Sequence, residues 1–178
     1  VRHAKYGFGG YAQPRDGEPE VRRAQKHGLC VMSHSGGTSI PGSSPINHEV
    51  LLHLRPDVCG HVNGGTTSLD EAGIDRIIRE TTMALQVVQA GNLRSALYIV
   101  NRAREAGALG RVCVASDTPT GTGVMPMGVM KSVCELASLG DLAPEIVIAL
   151  ATGTNAPAFR LATGTGTLAV RAPAGLVV

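Results

Sequence analysis

Apolar residues fall into short solid runs at 4–8, 29–33, 58–60, 84–88 and 112–116, and between the runs they recur at spacings of three and four. Runs of that length suit strands buried on both faces, and the three-four spacing suits amphipathic helices, so the pattern predicts alternating strands and helices. The first helix is expected over 18–27, with Pro19 near its start and Gly28 as its stop. A second is expected over 45–54, ended by Pro56. A third covers 69–80, where Ser68 to Glu71 has the order of a capping box and Ile74, Ile77 and Ile78 share a face. A fourth runs from its cap Asn92 to about 106, with Leu93, Ala96, Leu97 and Val100 on one side. Further helices are expected near 128–139, 144–151 and 156–161.

Strand-helix units repeated in this way fit a (β/α)8 barrel or a doubly wound sheet, and five strands make only part of a barrel. Residues 163–178 differ in character. They open on a Gly/Thr-rich stretch at 163–167 and continue with short β-prone segments at 168–170 and 176–178 separated by Pro173. The expected division is therefore 1–162 for the strand-helix part and 163–178 for the start of a small β-structure.

Composition narrows the function. The chain has 178 residues, 43% hydrophobic and 17% charged, enough for one sizeable core. A net charge of +2 spread along the chain and 3% aromatics provide neither a basic patch nor a stacking platform, so nucleic acid is not expected as a partner. No apolar run approaches a bilayer span and the first residues carry no signal-peptide core, so no membrane partner is expected. Cys30, Cys59 and Cys113 lie inside apolar runs and Cys134 in a helical stretch. All four read as small buried hydrophobes kept reduced, which fits a cytoplasmic setting.

Three runs end in a residue able to bind a metal, with glycines close behind. His34 precedes Gly36-Gly37, His61 precedes Gly64-Gly65, and Asp117 precedes Gly121 and Gly123. In a parallel sheet the three would emerge at the same end, where α/β proteins build their sites. A single histidine at a strand end is commonly a structural hydrogen-bonding residue, whereas two imidazoles and a carboxylate at equivalent positions suit zinc or a similar divalent ion. Lys5, in the first run, is either a surface residue near the chain end or an inward-facing amine. Carboxylation would turn such an amine into a metal-bridging carbamate. His3, His27, His48 and His53 lack this context. No phosphate-binding loop, dinucleotide fingerprint or nucleophile elbow is present.

The segment from His34 to Ser44, beginning His-Ser-Gly-Gly-Thr-Ser-Ile-Pro-Gly, resembles the enamidases, cyclic-enamide hydrolases of the metal-dependent amidohydrolase superfamily. The likeness continues through Pro56-Asp57-Val58-Cys59-Gly60-His61-Val62-Asn63-Gly64-Gly65 and Gln89-Ala90-Gly91-Asn92. It then takes in Leu109-Gly110-Arg111-Val112, Asp117-Thr118-Pro119-Thr120-Gly121-Thr122-Gly123 and Ala151-Thr152-Gly153, so that it covers most of residues 26–161. The resemblance implies an α/β fold, the C-terminal portion of a (β/α)8 TIM-type barrel with about five β-α units, leading into a small β-sandwich segment. It makes His34, His61 and Asp117 the metal ligands of the fifth, sixth and eighth barrel strands, and it places Lys5 near the carboxylated lysine of the fourth. The implied cofactor is a divalent metal, zinc or alternatively iron, binuclear in the superfamily. The implied reaction is hydrolysis of a cyclic amide such as 6-oxo-tetrahydronicotinate, with Asp117 as the acid/base and Gly36, Gly37 and Asn63 meeting the substrate. The His-x-His pair of the superfamily's first strand has no counterpart here.

Five units with two open sheet edges also invite pairing, either with further copies or with the other part of a barrel. The alternative to an enzyme is accordingly an incomplete barrel serving as a structural or oligomerising module.

Overall fold

A computed structural model describes residues 2–7, 9–38, 41–119 and 123–172. Its strands are β1 His3–Tyr6, β2 Cys30–His34, β3 Val58–Gly60, β4 Ala84–Val88 and β5 Val112–Ala115. Its α-helices are α1 Glu18–Lys26, α2 His48–Leu54, α3 Glu71–Glu80, α4 Leu93–Glu105, α5 Gly128–Leu139, α6 Pro144–Ala151 and α7 Asn155–Ala158. All strands are parallel and their order in the sheet is their order in the chain. A doubly wound sheet reverses that order at a switch point; an unbroken sequential order is that of a barrel arc.

The two faces of the arc carry different loads, because successive strand residues point to opposite sides. Val31, Cys59, Leu85, Val87, Val112 and Val114 pack against the helices, in one cluster with Leu51 and Leu54 of α2, Ile74 and Ile77 of α3, and Ile99 and Val100 of α4. Burying each such side chain stabilises the fold by about 1.5–3 kcal/mol. Cys30, Val58, Ala84 and Cys113 face the concave side in a second, smaller cluster with Met32, Ala158 and Phe159. Polar groups at the C-terminal strand ends stand above this small layer.

Helix starts follow local side-chain chemistry. Asn92 caps α4 as expected, its side chain accepting from the Ser95 N–H. The cap of α3 is Asp70, whose carboxylate accepts from Gly73 N at 2.9 Å; Ser68 of the expected capping box lies outside the helix. Residues 45–47 stay extended, because Ile46 bridges to Gly36 and exchanges two main-chain bonds with it, so α2 begins only after its cap Asn47. At the other end of α3, the Arg111 guanidinium donates to the carbonyls of Ile78, Thr81 and Met83.

Three expectations need correction or limits. Cys134 is exposed, while its neighbours Ser132, Val133 and Leu136 take the buried side of α5. Residues 168–170 form no strand, and Leu168 and Val170 are 92% and 94% exposed, having no neighbouring strand to pair with among the described residues. The second β-prone segment, 176–178, lies outside the described residues, as do Pro173 and Gly121.

Candidate metal centre

His34 is the last residue of β2 and shares the concave side with Cys30 and Met32. Register pairs it with Gly60, the last residue of β3, so His61 follows directly beside it. The strand ends bring the two rings together: His34 Nδ1 lies 3.0 Å from His61 Nε2, with ring centroids 4.4 Å apart at 62°. His34 is 8% exposed.

The outer nitrogen of His34 has a carbonyl partner, which assigns its proton. His34 Nε2 donates to the Gly37 carbonyl at 2.9 Å. The His61 ring and its own main-chain carbonyl lie close together where the chain folds back at Gly64. With the His34 proton outward, its Nδ1 turns a lone pair toward His61 Nε2 at 3.0 Å, where it can accept an N–H from that ring or, with the His61 proton on Nδ1, share a cation with it. Two nitrogen ligands at ordinary zinc distances subtend a tetrahedral edge of about 3.3 Å. The 3.0 Å separation of the pair is close to that edge, so the two rings could serve as two ligands of one divalent ion.

Electrostatics agree with neutral, ligand-ready rings. The His34 pKa is lowered to about 4, mainly by burial with smaller pushes from His61 and Lys5, against the opposing Gly37 bond and Asp117. His61 is lowered mainly by burial and by Lys5, against the pull of Asp117. Lys5 stands on β1 opposite Met32; the residue is exposed, and its amine lies over Gly60, where an added Cβ would come within 2.9 Å of Nζ. Shielding there lowers the amine's pKa, opposed by the Asp117 carboxylate. Asp117, two residues beyond β5, is thus felt by Lys5 and both histidines. Among the described residues no three His, Cys, Asp or Glu side chains are grouped closely enough to enclose a metal ion. The imidazoles form the tight pair, and Asp117 acts on it from longer range.

His61 and Asp117 both have left-handed backbones, φ +39° and +59°, unusual for non-glycine residues and found disproportionately at functional sites.

Gly36, Gly37 and Asn63, the expected substrate contacts, each make structural hydrogen bonds. Gly36 N donates to Ile46 O and Gly37 N to Thr67 O, while the Gly37 carbonyl holds His34. Gly36 must be glycine: φ is +100°, and a Cβ would lie 1.8 Å from Thr67 O. Asn63 is 1% exposed; its amide donates to the Val88 and Asn92 carbonyls and its Oδ1 accepts from Val88 N. It ties the end of β3 to the turn leading into α4. Asn63→Ala is expected to lower unfolding free energy by about 1–3 kcal/mol, measured by denaturant titration, because the buried Val88 N–H loses its acceptor.

Sequence reading passed over Gln86, the polar residue inside the 84–88 run. Its side-chain Oε1 accepts from His61 N at 3.2 Å. Its polar character within an apolar strand was the available signal.

No family model matches the chain. Among curated proteins it is 43% identical over 158 residues to enamidase from Eubacterium barkeri, covering 89% of this chain and 41% of that protein. Among solved structures it matches the 1.9 Å crystal structure of enamidase, described there as a new member of the amidohydrolase superfamily, with a TM-score of 0.84 and 42% identity. The match covers 91% of this chain and 42% of that one. The chain thus spans about two fifths of the length of the curated relative it matches. Among the described residues no helix is long and apolar enough to cross a membrane. The resemblance read from the sequence is borne out, with the five-stranded arc matching part of that fold: the chain is a homologue of enamidase, an amidohydrolase-superfamily enzyme, over about two fifths of that enzyme's length.

Proposed function

We propose that the chain carries part of the active site of a metal-dependent hydrolase acting on a cyclic amide, with an enamide or lactam such as 6-oxo-tetrahydronicotinate as substrate. The close approach of His34 Nδ1 and His61 Nε2, 3.0 Å apart at the ends of neighbouring strands, carries this reading. They would hold one divalent cation, zinc or alternatively iron, with Asp117 completing the set on the β5 side. When bound, such an ion polarises a carbonyl and lowers the pKa of water, which is the chemistry amide hydrolysis requires.

The chain's own groups supply the rest. Asp117 takes the proton of the attacking water and returns it to the leaving ring nitrogen, acting first as base and then as acid. Lys5 brings an amine of lowered pKa to the same strand ends. A larger neutral fraction favours attack on carbon dioxide, so carboxylation of Lys5 to a bridging carbamate belongs to the proposal. Gly37 keeps the His34 ring in the tautomer that presents Nδ1.

Completion of the site by further strands, from another copy or another chain, also belongs to the proposal. Supporting it, β1 pairs only with β2 among the described residues. Beside β1, the concave face holds an open cavity of about 430 Å³ lined by Ala4, Lys5, Cys30, Met32, Phe159 and Leu161.

The test is hydrolysis of 6-oxo-tetrahydronicotinate by the zinc-loaded protein, followed as loss of the enamide absorbance. Chelation should abolish turnover and added zinc should restore it. Turnover that persists after the metal is stripped would refute the reading.

A further inference from the structure

We infer that Gln86 is a positioning residue for His61, fixing the turn that sets its Nε2 against His34. Register between β3 and β4 runs Val58 to Ala84 and Cys59 to Leu85, and the chain then leaves the ladder at His61 in a left-handed conformation. Two bonds from one residue hold that departure. The Gln86 side-chain Oε1 accepts from His61 N at 3.2 Å, and the Gln86 main-chain carbonyl accepts from Val62 N at 2.9 Å.

The hold matters because a left-handed, non-glycine backbone persists only where its surroundings enforce it. If His61 relaxed toward extended geometry, its ring would swing away from His34 and the 3.0 Å approach would be lost. Gln86 can reach His61 because it shares the concave side of β4 with Ala84 and pairs with Cys113 of β5. Each strand then contributes one polar side chain at this end of the arc: Lys5, His34, His61, Gln86 and Asp117. The strand with no proposed ligand supplies the group that aims a ligand on its neighbour. Methionine here would keep the length and lose the acceptor, whereas glutamate would keep both.

The zinc part of the test rests on the reading of His34 and His61 as a cation-holding pair. Zinc affinity of the parent, Gln86→Met, Gln86→Glu and His61→Ala is measured by competition with a chromophoric chelator. Ring ¹⁵N signals of the two histidines are recorded on the zinc-free proteins. Gln86→Met should bind zinc at least about tenfold more weakly, with displaced His61 ring signals and folding retained. Gln86→Glu should restore both readouts. A purely structural role would alter melting temperature while leaving zinc affinity and ring signals at parental values, and that result would overturn the inference. If the parent binds no zinc, the cation reading fails and the zinc-free spectra decide: displaced His61 signals in Gln86→Met support the positioning role, unchanged signals refute it. If Gln86→Met does not fold, Gln86→Glu decides, since it retains an acceptor for His61 N–H and should match the parent in both readouts.

Discussion

Asp117→Asn is expected to lower the turnover number for a cyclic enamide by about 10²–10⁴-fold, the usual contribution of a positioned general acid–base, while zinc binding weakens far less than in His61→Ala. The separation of effects follows from the geometry. The tight contact is between the two imidazoles at 3.0 Å, and Asp117 lies outside any close three-residue cluster among the described residues. Asparagine preserves size and hydrogen bonding, so the backbone at φ +59° should be retained, and asparagine is among the few residue types that tolerate this region. The variant loses the ability to take a proton from water and return it to nitrogen. Steady-state kinetics with elemental analysis of the same samples checks this; undiminished turnover would remove Asp117 from the chemistry.

His61→Ala is expected to weaken zinc binding by more than about a hundredfold, since losing a partner behind a ligand already costs about 10–100-fold and here the ligand itself is lost. The parent's pH dependence supplies a second signature. A proton competes with zinc for the imidazole lone pair, so binding weakens as pH falls through the pKa of the free ligand. Burial lowers His34 to about 4 and shifts His61 in the same direction. The acid limb should therefore lie well below the ordinary imidazole value of about 6.5. Zinc titrations of parent and variant between about pH 4 and pH 8 read both effects.

Much of the arc was legible in the residues because parallel strands buried on both faces must be apolar nearly throughout. Runs such as 112–116 have little other use in a chain whose intervening segments are amphipathic. The grouping of His34 and His61 was legible for a related reason, since two residues ending neighbouring parallel strands have nowhere else to meet. What escaped was decided by partners distant in sequence. The bonds of the Asn63 amide to Val88 and Asn92, more than two dozen residues away, could not be read from its place beside a glycine pair. The start of α2 moved because Gly36 holds Ile46 extended. At α3 two capping signals competed, and the carboxylate of Asp70, beside the positive end of the helix, took the place expected of Ser68. Gln86 escaped because a polar residue within an apolar run reads as a blemish until the strand beside it is known to carry a histidine.

The central claim is that His34 and His61 share a metal. X-ray absorption at the zinc edge of the zinc-loaded chain tests it most directly. The account predicts at least two imidazole nitrogens at about 2.0–2.1 Å, with multiple-scattering features that diminish in His61→Ala. A shell of oxygens alone, or sulfur at about 2.3 Å, would place the zinc elsewhere and contradict it.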